Sequence, residues 1–126
     1  GTGSGYQAAV LAAMKMKVYS IERQKELFDA TRPLLQKLGY PVYMKFGDGY
    51  AGLPNHAPFD GIIVTAGAPY IPEALLEQLK VGGRLVIPVG QNTQDMIVVH
   101  KDGPQKYRQE NLGEFRFVPM LQNKNA

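Results

Sequence analysis

The opening run Gly1-Thr2-Gly3-Ser4-Gly5-Tyr6 sets a glycine at every second position, and no other stretch restricts the fold as strongly. Alternating glycines weaken any strand or helix that contains them, so the run reads as a turn whose backbone can pass close to a ligand. Gln7 to Met14 follows, rich in good helix formers. The turn is therefore the entry to a helix whose first N–H groups lack intrahelical partners and point back toward it. In an open α/β sheet that arrangement makes a nucleotide-type site. The spacing is G-x-G-x-G rather than G-x-G-x-x-G, so the pyrophosphate-binding fingerprint is not met. A tag remnant is the bland alternative, and the apolar helix and acid-ended strand that follow argue against it. A turn of this type follows a buried strand, and none precedes Gly1. The first, central strand of the sheet is thus expected to lie outside the chain, which reads as a fragment.

The chain has 126 residues, 44% of them hydrophobic, which fits a single domain over 1–126 with one core. Its net charge is +3 without any long Lys/Arg block, so no nucleic-acid partner is expected. There is no apolar run of membrane-spanning length and no signal-peptide pattern, so neither a membrane nor secretion is marked and a cytoplasmic location is expected. The absence of cysteine excludes disulfides and thiol catalysis. With His56 and His100 as the two histidines, no metal site is expected.

Lys17-Val18-Tyr19-Ser20-Ile21-Glu22 alternates as a short strand ending in an acid. Glu22 stands 17 residues beyond Gly5, where open α/β sheets place a carboxylate at a strand end to accept two ribose hydroxyls. A helix N-terminal charge is the alternative. Arg23 to Leu38 carries Leu27, Ala30, Thr31, Leu34, Leu35 and Leu38 on a helical period, closed by Gly39. Pro33 kinks or breaks this helix, and the period running through it favours a kink. Val42 to Phe46 is the next strand and feeds Gly47-Asp48-Gly49-Tyr50-Ala51-Gly52. There Asp48 can accept from an exocyclic amine while a neighbouring N–H faces a ring nitrogen, which together recognise adenine. An ordinary D-G turn is the alternative.

Leu53 to Phe59 reads as a loop with His56 exposed, and Gly61 to Thr65 as an apolar strand covered on both faces of a parallel sheet. Ala66 to Ile71 is a small-residue loop. Pro72 to Lys80 is expected as a helix with proline first, ended by Gly82-Gly83, before a strand over Arg84–Gly90. Beyond Asp95 the pattern becomes strand, Asp102-Gly103-Pro104 turn, and strand from Tyr107, with Phe115 to Met120 after it. This reads as an antiparallel addition, with His100 facing solvent. Asn123 to Ala126 is a polar tail.

Taken together, GTGSGYQAAVLA (Gly1 to Ala12), VYSIER (Val18 to Arg23), GDGYAGLP (Gly47 to Pro54), FDGIIVTAGAP (Phe59 to Pro69), LLEQLKVGGRLVIPVG (Leu75 to Gly90) and FRFVPM (Phe115 to Met120) resemble one family closely. It is the protein-L-isoaspartate O-methyltransferases, class I enzymes dependent on S-adenosylmethionine. The resemblance implies a Rossmann-like α/β sheet, mostly parallel with an antiparallel C-terminal addition. It implies that Gly1, Thr2, Gly3, Ser4, Gly5 and Tyr6 pass beneath the methionine part of the cofactor and that Glu22, followed by Arg23, holds the ribose. Gly47, Asp48 and Gly49 would lie at the adenine, and Ala66 and Gly67 near the reactive end. Phe117, Val118 and Pro119 resemble the segment that receives the substrate backbone. The family's N-terminal helices, its first strand and the Ser/Thr stretch at the methyl-transfer site are absent from this chain, so no catalytic residue is identifiable in it.

The implied partners are isoaspartyl-containing proteins and peptides, and the implied product of the cofactor is S-adenosylhomocysteine, with no metal. Two other readings stay open: a class I methyltransferase acting on a small molecule or nucleic acid, and an inactive fragment that only binds cofactor. A chain lacking its central strand would also be expected to associate with copies of itself through the gap, because unpaired edges invite pairing.

Overall fold

The computed structural model describes residues 1–115 and 118–124. They form two compact units, Gly1–Gly49 with the residues from Gln122 on, and Tyr50–Leu121.

In the first unit the glycine turn leads into α1 (Tyr6–Ala13), followed by β1 (Val18–Glu22), α2 (Lys25–Lys37) and β2 (Val42–Phe46). The two strands pair in parallel, from Val18 opposite Val42 to Glu22 opposite Phe46. Ala8 and Ala12 of α1 bury against Val18, with Leu11, Tyr40 and Val42 packed around them. α2 continues through Pro33 as one helix, so of the two expectations the break does not occur.

Both helices close in the same way. After α2, Gly39 N–H donates to the Gln36 carbonyl and Tyr40 N–H to the Leu35 carbonyl, with Gly39 at φ +81°. That is a Schellman motif, at the glycine the sequence marked as the helix's stop. After α1 the same pair of bonds runs from Lys15 to Ala12 and from Met16 to Leu11, but the left-handed position is held by Lys15 at φ +64°. The Asn123–Ala126 tail is anchored over its described part: Arg23 Nε donates to the Asn123 carbonyl at 2.9 Å, and the Lys124 ammonium lies 5.1 Å from the Phe46 ring centroid.

The second unit holds β3 (Phe59–Ile63), α3 (Glu73–Glu77), β4 (Leu79–Val89), β5 (Gln94–Gly103) and β6 (Lys106–Phe115). They form one sheet in the order β3-β4-β5-β6, with β3 and β4 parallel and the two later pairs antiparallel. The antiparallel addition is as read from the sequence, and it supplies more of this sheet than the expected mostly parallel arrangement allowed. Leu75 of α3, Leu79, Leu85 and Ile87 of β4, and Ile97 and Val99 of β5 make the core.

Several expectations are corrected here. The helix is shorter than Pro72–Lys80, with Pro72 preceding it as the N-cap, and β4 starts at Leu79. Gly82-Gly83 therefore does not end a helix. It shapes an irregularity in the β3–β4 ladder, where Phe59 pairs with Leu79 but Gly61 pairs with Arg84. A Cβ on Gly83 would lie 2.8 Å from the Lys80 carbonyl oxygen and 2.9 Å from that of Asp60, so close backbone approach demands glycine there. β3 is not covered on both faces: Ile62 joins the core, whereas Ile63, on the opposite face, is 47% exposed. His100 does not face solvent freely. Its side chain is 16% exposed and Nε2 bonds Glu110, a diagonal neighbour across the β5–β6 ladder.

Gln78, at the C-terminal end of α3, is buried and spans a gap that the sequence did not reveal. Its Oε1 accepts from Leu53 N–H at 2.8 Å and its Nε2 donates to the Ala51 carbonyl at 2.9 Å. A Cβ on Gly52 would collide with this amide at 2.2 Å. On the hairpin, Arg108 donates to Asp102 and holds its carboxyl below the usual carboxylate value.

Three outcomes follow for purified protein. Lys15→Gly should raise stability by about 1 kcal/mol, because a left-handed residue with a Cβ is strained by roughly that amount, read as an upward shift in Tm. Gln78→Leu should lower it by about 1–3 kcal/mol for each backbone group left unpaired in denaturant unfolding. Because the Asp102 carboxyl is lowered in the folded state, its contribution is present above its unfolded value and fades as pH falls through the folded one. The stability difference between wild type and Asp102→Asn should therefore shrink as pH falls below the ordinary carboxyl value of about 4, measured by urea unfolding at neutral and acid pH.

Candidate cofactor loop and its supports

The glycine turn is held by side chains from β1 and α2. Glu22, the last residue of β1, is 3% exposed; its Oε1 accepts from Gly3 N–H at 2.9 Å and its Oε2 from Gln24 N–H at 3.0 Å. Gln24 is the N-cap of α2, so the same carboxylate also fixes the start of the next helix. Thr31 Oγ1 donates to the Gly3 carbonyl at 2.7 Å, and Thr2 Oγ1 and Ser20 Oγ share a hydrogen bond of 2.6 Å. Gly5 N–H closes the turn onto the Thr2 carbonyl at 3.0 Å.

The glycines do different jobs. Gly3 has φ +57° and nothing within 4 Å of where a Cβ would stand, so its left-handed backbone faces open space. Gly5, the N-cap of α1, has φ +84°, and a Cβ there would lie 2.8 Å from Thr31 Cγ2 and 3.3 Å from Leu35. Gly5 is thus a helix-packing glycine, comparable to the third glycine of the dinucleotide fingerprint. Ser4 and Tyr6 are exposed, and Tyr6 begins an apolar groove between α1 and α2 that continues along Val10, Leu34 and Leu38.

The second glycine turn stays in the same unit as far as Gly49. Gly47 N–H donates to the backbone carbonyl of Glu22 at 3.0 Å, which ties this turn to the end of β1. Asp48 and Gly49 follow, both half-buried. Arg23 turns its Nε to Asn123, an engagement the sequence did not suggest.

In the second unit, Gly67 is clasped by the C-terminal segment: Gly67 N–H donates to the Val118 carbonyl and Met120 N–H to the Gly67 carbonyl, each at 2.7 Å. Pro119 sits opposite Gly67 in this short parallel bridge. Tyr50 Oη donates to the Met120 carbonyl at 3.0 Å, and the Tyr50 and Tyr70 rings stand 5.8 Å apart. A Cβ on Gly67 would meet the buried Gln94 side chain at 2.7 Å. The segments read separately as cofactor end (Ala66, Gly67) and substrate contact (Val118, Pro119) are therefore bonded to each other. Phe117 lies outside the described residues. The sequence reading gave no role to the side chains of Thr31, Tyr50, Tyr70 and Gln94: Thr31 read as part of an apolar stripe and Tyr50 as one residue of the second glycine turn, because nothing local shows which backbone groups they reach.

The family model described as Protein-L-isoaspartate(D-aspartate) O-methyltransferase matches residues 1–125. The chain belongs to this family. The protein-L-isoaspartate O-methyltransferase of Christiangramia forsetii is 58% identical over 126 residues, covering 99% of this chain and 59% of the relative. That of Flavobacterium psychrophilum is 57% identical over the same length, again covering 59% of the relative. The chain thus spans about three fifths of the curated relatives it matches. A solved protein-L-isoaspartate O-methyltransferase superposes with a TM-score of 0.89 at 31% identity, covering 98% of this chain and 41% of the other. A Plasmodium falciparum structure of the family, in complex with S-adenosyl-L-homocysteine, gives 0.77 at 27% identity, covering 98% and 64%. The Rossmann-like α/β class read from the sequence is the fold of these family members.

For a member of this methyltransferase family the loop geometry separates two substitutions. Gly3→Ala meets open space and should cost about 1–2 kcal/mol from its left-handed backbone alone. Gly5→Ala adds a clash with Thr31 and Leu35 and should cost clearly more, by about 1–3 kcal/mol of overpacking. Thermal unfolding of the two variants side by side checks the order.

Proposed function

We propose that the protein carrying this chain transfers a methyl group from S-adenosylmethionine to the free carboxylate of L-isoaspartyl residues in damaged proteins and peptides. The observation that carries this reading is Gly3, left-handed and open on its Cβ side, with its N–H held by the buried Glu22 carboxylate. The residues fit such a cofactor. Each Glu22 oxygen accepts one N–H and an ionised carboxylate offers about four acceptor sites, so capacity remains for two ribose hydroxyls. Gly1 to Tyr6 would run beneath the methionine portion, with Arg23 beside the ribose acid and Gly47, Asp48 and Gly49 at the adenine. On the family resemblance, Ala66 and Gly67 are assigned to the reactive end, and Val118 and Pro119 to the substrate backbone. That the family model runs through both compact units supports one methyltransferase domain over 1–126.

When bound, the cofactor supplies a methyl group already activated by the positive charge of its sulfonium. The isoaspartyl carboxyl, with an ordinary value near about 4, is ionised at neutral pH, so no residue has to remove a proton. What the chain contributes is alignment and exclusion of water, and good alignment is worth roughly 7–11 kcal/mol. The Val118–Met120 segment, bonded to Gly67 through backbone groups, leaves Val118 exposed to meet a peptide. Methylation makes the carboxyl a better acceptor for succinimide formation, the route back to a normal aspartyl linkage. Among the described residues no helix is long and apolar enough to cross a membrane. A cytoplasmic location is proposed as part of the same reading.

Calorimetric titration of the full-length protein with S-adenosylhomocysteine, then methyl transfer to paired isoaspartyl and aspartyl peptides, tests the proposal. Binding with transfer to the isoaspartyl peptide alone is expected. Binding without that preference would refute the substrate assignment. Glu22→Gln should weaken S-adenosylhomocysteine binding about tenfold or more, the worth of hydrogen bonds to a charged acceptor.

A further inference from the structure

Thr31 lies in the middle of α2, on the helix's buried side, and is 4% exposed. A threonine inside a helix commonly returns its hydroxyl to a carbonyl three or four residues earlier in the same helix. Thr31 instead sends its hydroxyl to the Gly3 carbonyl, at 2.7 Å. The other branch of the same side chain, Cγ2, fills the space that a Cβ on Gly5 would need. One residue therefore touches the glycine turn at two points, with a polar group at Gly3 and an apolar one at Gly5.

Gly3 is thereby held from both sides of its Cα. Glu22, from the end of β1, takes its N–H, and Thr31, from α2, supplies a donor to its carbonyl. A glycine at φ +57° has no side chain of its own to fix its backbone, so these two bonds are what select its conformation. Removing the Thr31 hydroxyl leaves the N–H bond in place but frees the following peptide group to rotate.

We infer that Thr31 is a positioning residue for the cofactor loop, acting through the Gly3 carbonyl, so that its hydroxyl rather than its methyl group sets cofactor affinity. This rests on the reading of the loop as the S-adenosylmethionine site. Thr31→Val keeps the branched shape and its packing on Gly5 while removing the donor. Thr31→Ser keeps the donor and removes the packing.

The test compares both variants with wild type in the full-length protein by three measurements. They are amide hydrogen exchange at Gly3 and Gly5 without ligand, calorimetric affinity for S-adenosylhomocysteine, and Tm. In Thr31→Val the Gly3 and Gly5 amides should exchange several-fold faster and the Kd should rise about five- to tenfold, the loss expected for one hydrogen bond. Thr31→Ser should bind within about twofold of wild type even where its Tm falls further, because the donor is retained. Affinity that tracks Tm in both variants, or a Thr31→Val protein with unchanged exchange and unchanged Kd, would overturn the inference. A wild-type protein that fails to bind S-adenosylhomocysteine would instead remove the cofactor reading, and the exchange comparison would then decide alone whether Thr31 holds the loop.

Discussion

A buried carboxylate with a backbone amide on each oxygen fixes the geometry on which the candidate site depends. A buried carboxyl is tolerated when its oxygens find hydrogen-bond donors, and each Glu22 oxygen finds one, Gly3 N–H on Oε1 and Gln24 N–H on Oε2. Through those two bonds a single side chain joins the end of β1, the start of α2 and the glycine turn. The backbone carbonyl of the same residue takes the Gly47 N–H, so the second glycine turn is tied to the same point. A strand-end acid in this fold is thus a structural anchor as well as a candidate ligand for hydroxyl groups.

The second unit uses related devices, one of them a pair of backbone hydrogen bonds around Gly67. Gly67 has no room for a side chain beside Gln94, and both its N–H and its carbonyl are taken by residues that flank Pro119. Tyr50 adds a bond to the Met120 carbonyl. Gln78 satisfies the loop from Ala51 to Leu53 in the same manner, with a glycine where its amide passes. Glycine is therefore used in this chain for two physical reasons. One is a left-handed backbone, as at Gly3 and Gly39; the other is close approach of a second element, as at Gly67 and Gly83.

Much of this was legible in the sequence because it rests on local rules. The glycine turn before an alanine-rich helix, the strand ending at Glu22, the stop at Gly39 and the hairpin around Pro104 depend on residues near one another in the chain. Gly82-Gly83 was misread because a glycine pair after a helical pattern has the same local signature whether it stops a helix or relieves a crowded ladder. The facing strand that distinguishes them is Asp60's, more than a helix away in sequence. Thr31 read as one more position of an apolar stripe, since nothing local tells where a buried hydroxyl is aimed. Ile63 was expected to be covered because an unbroken apolar run looks the same whether one face or two are packed.

One carboxylate is thus proposed both to anchor the loop and to receive the cofactor's ribose. A crystal structure of the full-length protein with S-adenosylhomocysteine tests it most directly. Glu22 is expected to keep its bonds to Gly3 N–H and Gln24 N–H while its oxygens also accept the two ribose hydroxyls. Ribose bound elsewhere, or a Glu22 carboxylate that leaves Gly3 to reach it, would refute this double role.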